Sequence, residues 1–159
     1  MINLHRGGAI AALVAVLGTA GIATAFAQPA APAAETGLPE TYATLLTPLY
    51  SGKLTIVGQE IAYPTGTPLV TGSIVTIAPG AETGWHTHEV PLFVYVLEGT
   101  VTVDYGSKGV RAAGPGSSFM EAMNWPHNAT NHGDVPVRIL AVYIGEEGVA
   151  NADTAAGAE

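Results

Sequence analysis

Three histidines have a spacing that could bind a metal ion. His86 and His88 are separated by one residue, and His127 follows later in the segment Asn124-Trp-Pro-His127. If His86 and His88 lie on a β-strand, both imidazoles point to the same face. Three convergent imidazoles are a ligand set for Fe, Mn, Ni, Cu or Zn that leaves coordination positions open. We therefore predict a divalent transition metal held by His86, His88 and His127. The alternative is that these histidines have no ligand role and simply lie on a half-exposed strand and in a turn.

Glu121 is the candidate catalytic residue. It precedes His127 in the mostly apolar segment Phe119-Met-Glu121-Ala-Met123. Burying a carboxylate is costly unless it is paired or bound to a metal. Glu121 could ligate the metal, orient an imidazole or act as a general base, whereas in the alternative interpretation it faces solvent on an edge strand.

Short β-strands separated by turns are expected to position these side chains. From Lys53 onward the chain is rich in Ile, Val and Thr and is interrupted by Gly and Pro turns. The segments predicted as strands are 54–57, 59–63, 69–77, 93–97, 100–105, 110–112, 118–122, 125–128 and 137–144. This pattern is typical of an antiparallel barrel or jelly roll. The alternation does not decide whether Leu92 and Val94 or Phe93 and Tyr95 face the interior.

The motifs resemble those of the cupin superfamily. Gly80, His86, His88 and Gly99 match the first cupin motif in residue type and spacing, over a run that includes Tyr95-Val-Leu-Glu-Gly99. His127 and Asn131 match the end of the second motif, with Gly114-Pro115-Gly116 in the turn upstream. The glutamate ligand of the first motif falls on Leu92, or on Phe93 with the longer spacing, and neither side chain can bind a metal. The resemblance extends to small secreted single-domain cupins.

The resemblance implies an all-β fold, a cupin-type antiparallel β-barrel (double-stranded β-helix or jelly roll), to which we add one short N-terminal helix. It also implies a homodimer and a small-molecule ligand or substrate. The function expected on this basis is metal-assisted, dioxygenase- or isomerase-like chemistry, with Asn131, Glu121 and Tyr95 as supporting groups. The alternative is a non-catalytic cupin that binds a metal or a small ligand.

Four regions are predicted along the chain. Residues 1–27 read as a signal peptide that ends in Ala25-Phe26-Ala27, which predicts a periplasmic or secreted protein. Residues 28–38 form a Pro/Ala linker, 39–145 the barrel domain and 146–159 an acidic disordered tail. The N-terminal helix is expected within Pro39–Tyr50.

Composition excludes several classes of function. The chain has 159 residues, 13 acidic and 5 basic residues and a net charge of −8, which disfavours nucleic acid and anionic membranes as partners. It has no cysteine, so disulfides, thiolate nucleophiles and thiolate metal sites are excluded. After cleavage of the signal peptide we expect no stable membrane insertion.

Overall fold

Ten β-strands make up the regular structure of the residues that the computed structural model describes, which are 24–25, 42 and 44–157. Their bounds are β1 Thr24–Ala25, β2 Pro68–Ile77, β3 His86–Thr87, β4 Leu92–Glu98, β5 Val101–Asp104, β6 Val110–Ala113, β7 Ser118–Met120, β8 Asn128–Thr130, β9 Val137–Glu146 and β10 Asp153–Thr154. A 3-10 turn, Gly106–Lys108, joins β5 to β6. The predicted all-β class is confirmed.

Two four-stranded sheets enclose the core. One has the order β2-β9-β4-β7 and is antiparallel throughout. The other has the order β1-β6-β5-β8, in which only the pairing of β1 with β6 is parallel. A bridge between His86 and His127 connects β3 to the residue just before β8, and β10 pairs with β3. The antiparallel barrel expected from the strand pattern is therefore the observed architecture.

The interior face of β4 is formed by Leu92, Val94 and Val96, which are buried, whereas Phe93 and Tyr95 lie on the outer face. The inward valines pack with the other aliphatic side chains of the core. This burial decides which face of β4 points to the interior, a question that the sequence alone did not settle. Tyr95 therefore points away from the interior, and its expected role as a supporting group of the site is wrong.

Gly99 allows the chain to turn from β4 into β5. Its φ is +68°, and a Cβ at this position would lie 2.7 Å from the carbonyl oxygen of Pro136. The pairing of β4 with β9 also shifts between Val96 and Glu98, which marks a bulge just before the turn. The positive φ and the close carbonyl oxygen both require glycine at this turn.

The segment before β2 contains little regular structure. The predicted strands 54–57 and 59–63 are reduced to one bridge between Leu54 and Glu60. Most of the predicted signal peptide, linker and first part of the N-terminal helix lies outside the described residues. The described part of the predicted signal peptide, Thr24–Ala25, is the edge strand β1, which residues 28–159 do not contain. In the described part of that helix, Leu45 N–H donates to the carbonyl of Tyr42 at 3.0 Å, and residues 46–50 are not helical.

The segment after β9 folds back onto the barrel. Asp153 and Thr154 of β10 pair with Thr87 and His86, and Ala155 N–H donates to the carbonyl of Trp85 at 3.0 Å. The predicted disordered tail is therefore wrong for residues 146–157. Its Ala/Gly-rich composition suggested disorder, but pairing with β3 supplies hydrogen bonds that local composition does not reveal. Within the described ranges, no helix is both long enough and apolar enough to span a membrane.

Candidate metal centre

The three predicted ligands meet at one end of the barrel interior. The ring centroids are 4.9 Å apart for His86 and His88, 4.4 Å for His86 and His127, and 5.1 Å for His88 and His127. One nitrogen from each ring lies within 4.8 Å of the other two. The bridge between His86 and His127 sets this approach, because their backbone N–H and carbonyl groups pair reciprocally at 3.0 Å.

Each imidazole is oriented by a backbone carbonyl. His86 Nδ1 is 2.8 Å from the oxygen of Gly84, His88 Nδ1 is 2.7 Å from that of Asn151, and His127 Nδ1 is 2.8 Å from that of Trp125. A carbonyl oxygen only accepts hydrogen bonds, so each Nδ1 carries the proton and donates it. Nε2 then holds the lone pair on all three rings, and these nitrogens are the atoms available to a metal ion.

Burial keeps two of the rings unprotonated. Desolvation is the main cause that lowers the pKa of His88 and that of His127 from 6.5 to about 4 in each case, and hydrogen bonds to Asn151 and Trp125 oppose it. His88 is 2% exposed and His127 is 1% exposed. Both are therefore neutral at pH 7, the state in which imidazole binds a metal. The donor set fits a divalent transition metal.

Glu121 is a buried carboxylate on the wall of the same cavity. Its Oε1 accepts a hydrogen bond from the Tyr105 hydroxyl at 2.7 Å and another from Ala122 N–H at 2.7 Å. Both bonds use Oε1, which leaves Oε2 for the cavity. Desolvation raises the Glu121 pKa from 4.5 to about 7, although these two donors lower it. Among the described residues, Glu121 is not a member of the three-histidine cluster, although it lines the same cavity.

Leu92, at the start of β4, and Glu121, the residue after β7, are neighbours. Glu121 N–H donates to the carbonyl of Leu92 at 2.8 Å, and both side chains line the cavity. The β4 position at which the resemblance expects a glutamate is therefore occupied by leucine, as the sequence indicated. The carboxylate of this site lies one strand away, on the residue that follows β7.

The cavity below the histidines has a volume of about 140 Å³. Its lining residues are mostly aliphatic and come from both sheets: Val75, Ile77, Leu92, Val94, Val101, Val103, Phe119, Ala129, Ile139, Ala141 and Tyr143, with Thr83, His86, His88, Glu121, His127 and Ala152. Thr83 and Ala152 are exposed, and His86 is partly exposed, so the mouth opens beside the histidines.

A family comparison identifies the domain. Residues 73–143 match the family model for the cupin domain. These residues form a cupin domain. The match contains all three histidines and Glu121, and it ends at Tyr143, so the segment that supplies Asn151 lies outside it. The recognition made from the two motifs is confirmed.

Solved structures similar to the cupin domain include enzymes of several kinds. Matches include the DMSP lyase DddQ from Ruegeria pomeroyi DSS-3 (20% identity, TM-score 0.48, 54% of this chain and 42% of that one). The polyketide cyclase RemF from Streptomyces resistomycificus has 25% identity and a TM-score of 0.46, with 55% and 62% covered. The oxalate decarboxylase of Bacillus subtilis, which contains Mn(II) centres, has 21% identity and a TM-score of 0.45, with 57% and 24% covered. This chain thus spans less than two thirds of each. No curated protein sequence matches.

Three residues near the cupin site were not singled out from the sequence. Tyr105 is fully buried and hydrogen-bonded to Glu121. Tyr143 packs edge-on against His88, with ring centroids 5.6 Å apart. The pKa of Tyr143 is raised, mainly because the side chain is buried and secondly because the negative charge of Glu121 is close. Asn151 orients His88 through its backbone carbonyl, which no side-chain pattern could indicate. For the two tyrosines, the sequence feature that could have indicated a place near the site was their position on predicted strands.

The other residues weighed from the sequence lie away from the cupin cavity. Asn131 is fully buried, but its amide donates to the carbonyls of Ile77 and Val135 at 2.9 and 2.8 Å, so it ties loops together and does not line the cavity. Its expected supporting role at the site is therefore wrong. The side chains of His132 and Glu89 are exposed.

Proposed function

We propose that this protein is an exported cupin that binds one divalent transition metal through His86, His88 and His127 and acts on a small molecule. The observation that carries the proposal is the set of Nδ1–carbonyl hydrogen bonds, which leaves three convergent Nε2 atoms. When bound, Fe, Mn, Ni, Cu or Zn would supply Lewis-acid or redox chemistry of the dioxygenase or isomerase kind. The chain itself surrounds the site with mostly aliphatic side chains and fixes the orientation of the imidazoles.

Elemental analysis of residues 28–159 tests the metal site. We expect roughly one metal ion per chain in the wild type and in His132→Ala, which removes an exposed histidine and serves as the matched control. The double variant His86→Ala/His88→Ala should contain none. If neither the wild type nor the control retains metal after incubation with each of the five ions, the proposal fails.

Glu121 is the proposed general acid or base. It shares the cavity with the histidines, and a pKa of about 7 lets it accept or donate a proton near neutral pH. Tyr105 supports the ionised form, since its hydroxyl donates to Oε1. Tyr105→Phe should therefore raise the Glu121 pKa further, which infrared titration of the carboxyl band in metal-free protein measures. An unchanged midpoint would contradict this role of Tyr105.

A non-catalytic binding module is the alternative. Leu92 favours it, because the β4 wall lacks the carboxylate that the cupin motif places there. The two functions differ in turnover. A metal-loaded protein that converts small carbonyl or enol compounds, with or without O2, is an enzyme, whereas stoichiometric ligand binding without any conversion would support the module.

Export and dimerisation are further parts of the proposal. N-terminal sequencing of the exported protein should begin at Gln28. For the dimer, β2 lies at the edge of its sheet, carries no charged residue and exposes Leu69, Val70 and Ile74. An uncharged edge strand of this length favours pairing with a second copy. Light scattering should show a dimer for the wild type and a monomer for Val70→Lys/Ile74→Lys.

A further inference from the structure

The strand registers divide the cavity into two levels. At the upper level, nearest the histidines, Leu92 pairs with Tyr143, and Glu121 N–H donates a hydrogen bond to the carbonyl of Leu92. On the facing sheet, the rings of Tyr105 and His127 are in contact, with centroids 5.6 Å apart. The titratable side chains of the cavity are thus gathered at the end that holds the metal ligands.

The lower level is entirely apolar. Val94 pairs with both Ala141 and Phe119, and on the facing sheet Val103 pairs with Ala129. All five line the cavity. Ala141 is 2% exposed and Ala129 is 9% exposed, so both are interior positions, and their single methyl groups leave open the space that a larger side chain would fill.

The cavity contains no cationic side chain. No Lys or Arg belongs to its lining in the described part of the chain. Three of the basic residues have partners elsewhere: Lys108 lies 4.4 Å from the Trp125 ring, Arg111 donates to the carbonyl of Val110, and Arg138 is 4.0 Å from Glu98. Recognition of a compact dianion normally uses Arg or Lys. Here a bound divalent ion could pair with one anionic group, but no cationic side chain is present for a second, and the Glu121 carboxylate would repel it.

We infer that the ligand of this site is a small, predominantly hydrocarbon molecule of about the size of a benzene ring with a single oxygen-bearing polar group. Its apolar body occupies the floor formed by Val94, Val103, Phe119, Ala129 and Ala141, and its polar group lies at the end of the histidines and Glu121. The volume of about 140 Å³ fits an apolar body of this size, because an apolar protein cavity of ~150 Å³ accommodates benzene. This inference rests on the proposed metal-binding function and names the chemical class of its ligand.

Fluorine NMR can test the inference with two probes, 4-fluorophenol and fluoromalonate. We expect the metal-loaded wild type to bind 4-fluorophenol saturably, with a dissociation constant of about 1 mM or below. Fluoromalonate, a dianion without an apolar body, should bind at least tenfold more weakly than 4-fluorophenol when both probes are compared on metal-free protein, where malonate has no ion to chelate. Equal or tighter binding of fluoromalonate would overturn the inference.

Larger side chains in the apolar floor test whether 4-fluorophenol binds there. Ala141→Leu and, independently, Ala129→Val reduce the free space without touching a histidine, and each should weaken 4-fluorophenol binding at least tenfold while metal content stays at the wild-type value. Ala112→Leu is the matched control, since Ala112 alternates with the buried Ala113 and points outward from β6. Thermal melting verifies that each variant folds. Undiminished binding in both folded floor variants would overturn the inference.

The outcomes separate this inference from the metal-binding proposal. A protein that holds one metal per chain but does not bind 4-fluorophenol keeps the metal site and overturns the ligand class. A protein that binds 4-fluorophenol in a floor-dependent way without retaining any metal overturns the metal-binding proposal and supports the apolar ligand class on its own.

Discussion

Removal of the segment after Gly148 should weaken metal binding, although this segment contains no ligand. Residues 149–159 supply the carbonyl of Asn151, which accepts the Nδ1 proton of His88 at 2.7 Å. They also contain β10, which pairs with both residues of β3, and Ala152, which lines the cavity mouth. Without them, His88 loses its orienting partner.

The expected loss follows from the number of contacts removed. One of three imidazoles loses its orienting hydrogen bond, and loss of such a partner typically costs ~10–100-fold in metal affinity. This corresponds to about 1.4–2.7 kcal/mol. The assay is a competition titration of Zn²⁺ or Mn²⁺ against a chelating indicator, at fixed ionic strength, on the full-length mature protein and on the variant that ends at Gly148.

Charge must be controlled, because the deleted residues include Asp153 and Glu159. The full-length variant Asp153→Asn/Glu159→Gln removes the same acidic side chains and keeps the Asn151 carbonyl; it should bind metal within about twofold of wild type. NMR supplies a second measurement, since the Nδ1 proton of His88 should resist exchange in full-length protein and exchange rapidly after truncation. Affinity within about twofold after truncation, with that proton still protected, would refute the reasoning.

Three further predictions concern the interior and the fold. Glu121→Gln should retain metal within about threefold by the same titration, because Glu121 is outside the histidine cluster; a loss of ~10-fold or more would make it a ligand. Gly99→Ala should lower the free energy of unfolding in urea by about 2 kcal/mol or more, since its φ is positive and its Cβ would meet the backbone. Gly116→Ala, with a positive φ but open space, should cost only about 1 kcal/mol, and equal losses would contradict the steric account. Metal-free protein should lose stability as pH falls from 6.5 to 4, because unfolded His88 and His127 bind protons in that window whereas the folded rings, with pKa values of about 4, do not. Protonation of Glu121, whose folded pKa of about 7 lies above its unfolded value, offsets part of this loss, so Glu121→Gln should steepen it in thermal melts at each pH.

The sequence was sufficient for the parts of the site that depend on local spacing. His86 and His88 point into one cavity because the i, i+2 relation and the antiparallel bridge to His127 place their rings on the same side. Composition and turn residues were likewise sufficient for the all-β class. The segments 54–57 and 59–63 contain residues that favour β-structure, but they pair only through the bridge between Leu54 and Glu60. Strand propensity alone does not supply a pairing partner, so both strands were predicted too long.

The remaining parts depend on contacts between distant segments. The inward face of β4 was settled by packing of Leu92 and Val94 against the second sheet, which alternation alone could not decide. Asn151 acts through its backbone, so its residue type carries no signal. Tyr105 supports Glu121 from a neighbouring region of the barrel, a relation visible only once the strands are assembled.

Anomalous diffraction from crystals of the metal-loaded protein, residues 28–159, tests the central claim most directly. Data collected at the absorption edge of the bound element should show one peak about 2.0–2.2 Å from the Nε2 atoms of His86, His88 and His127. The Nδ1 atoms should remain hydrogen-bonded to Gly84, Asn151 and Trp125. A peak bound to Nδ1 atoms or lying outside the three-histidine cluster would contradict the account, as would no peak in a protein that has been incubated with each candidate metal.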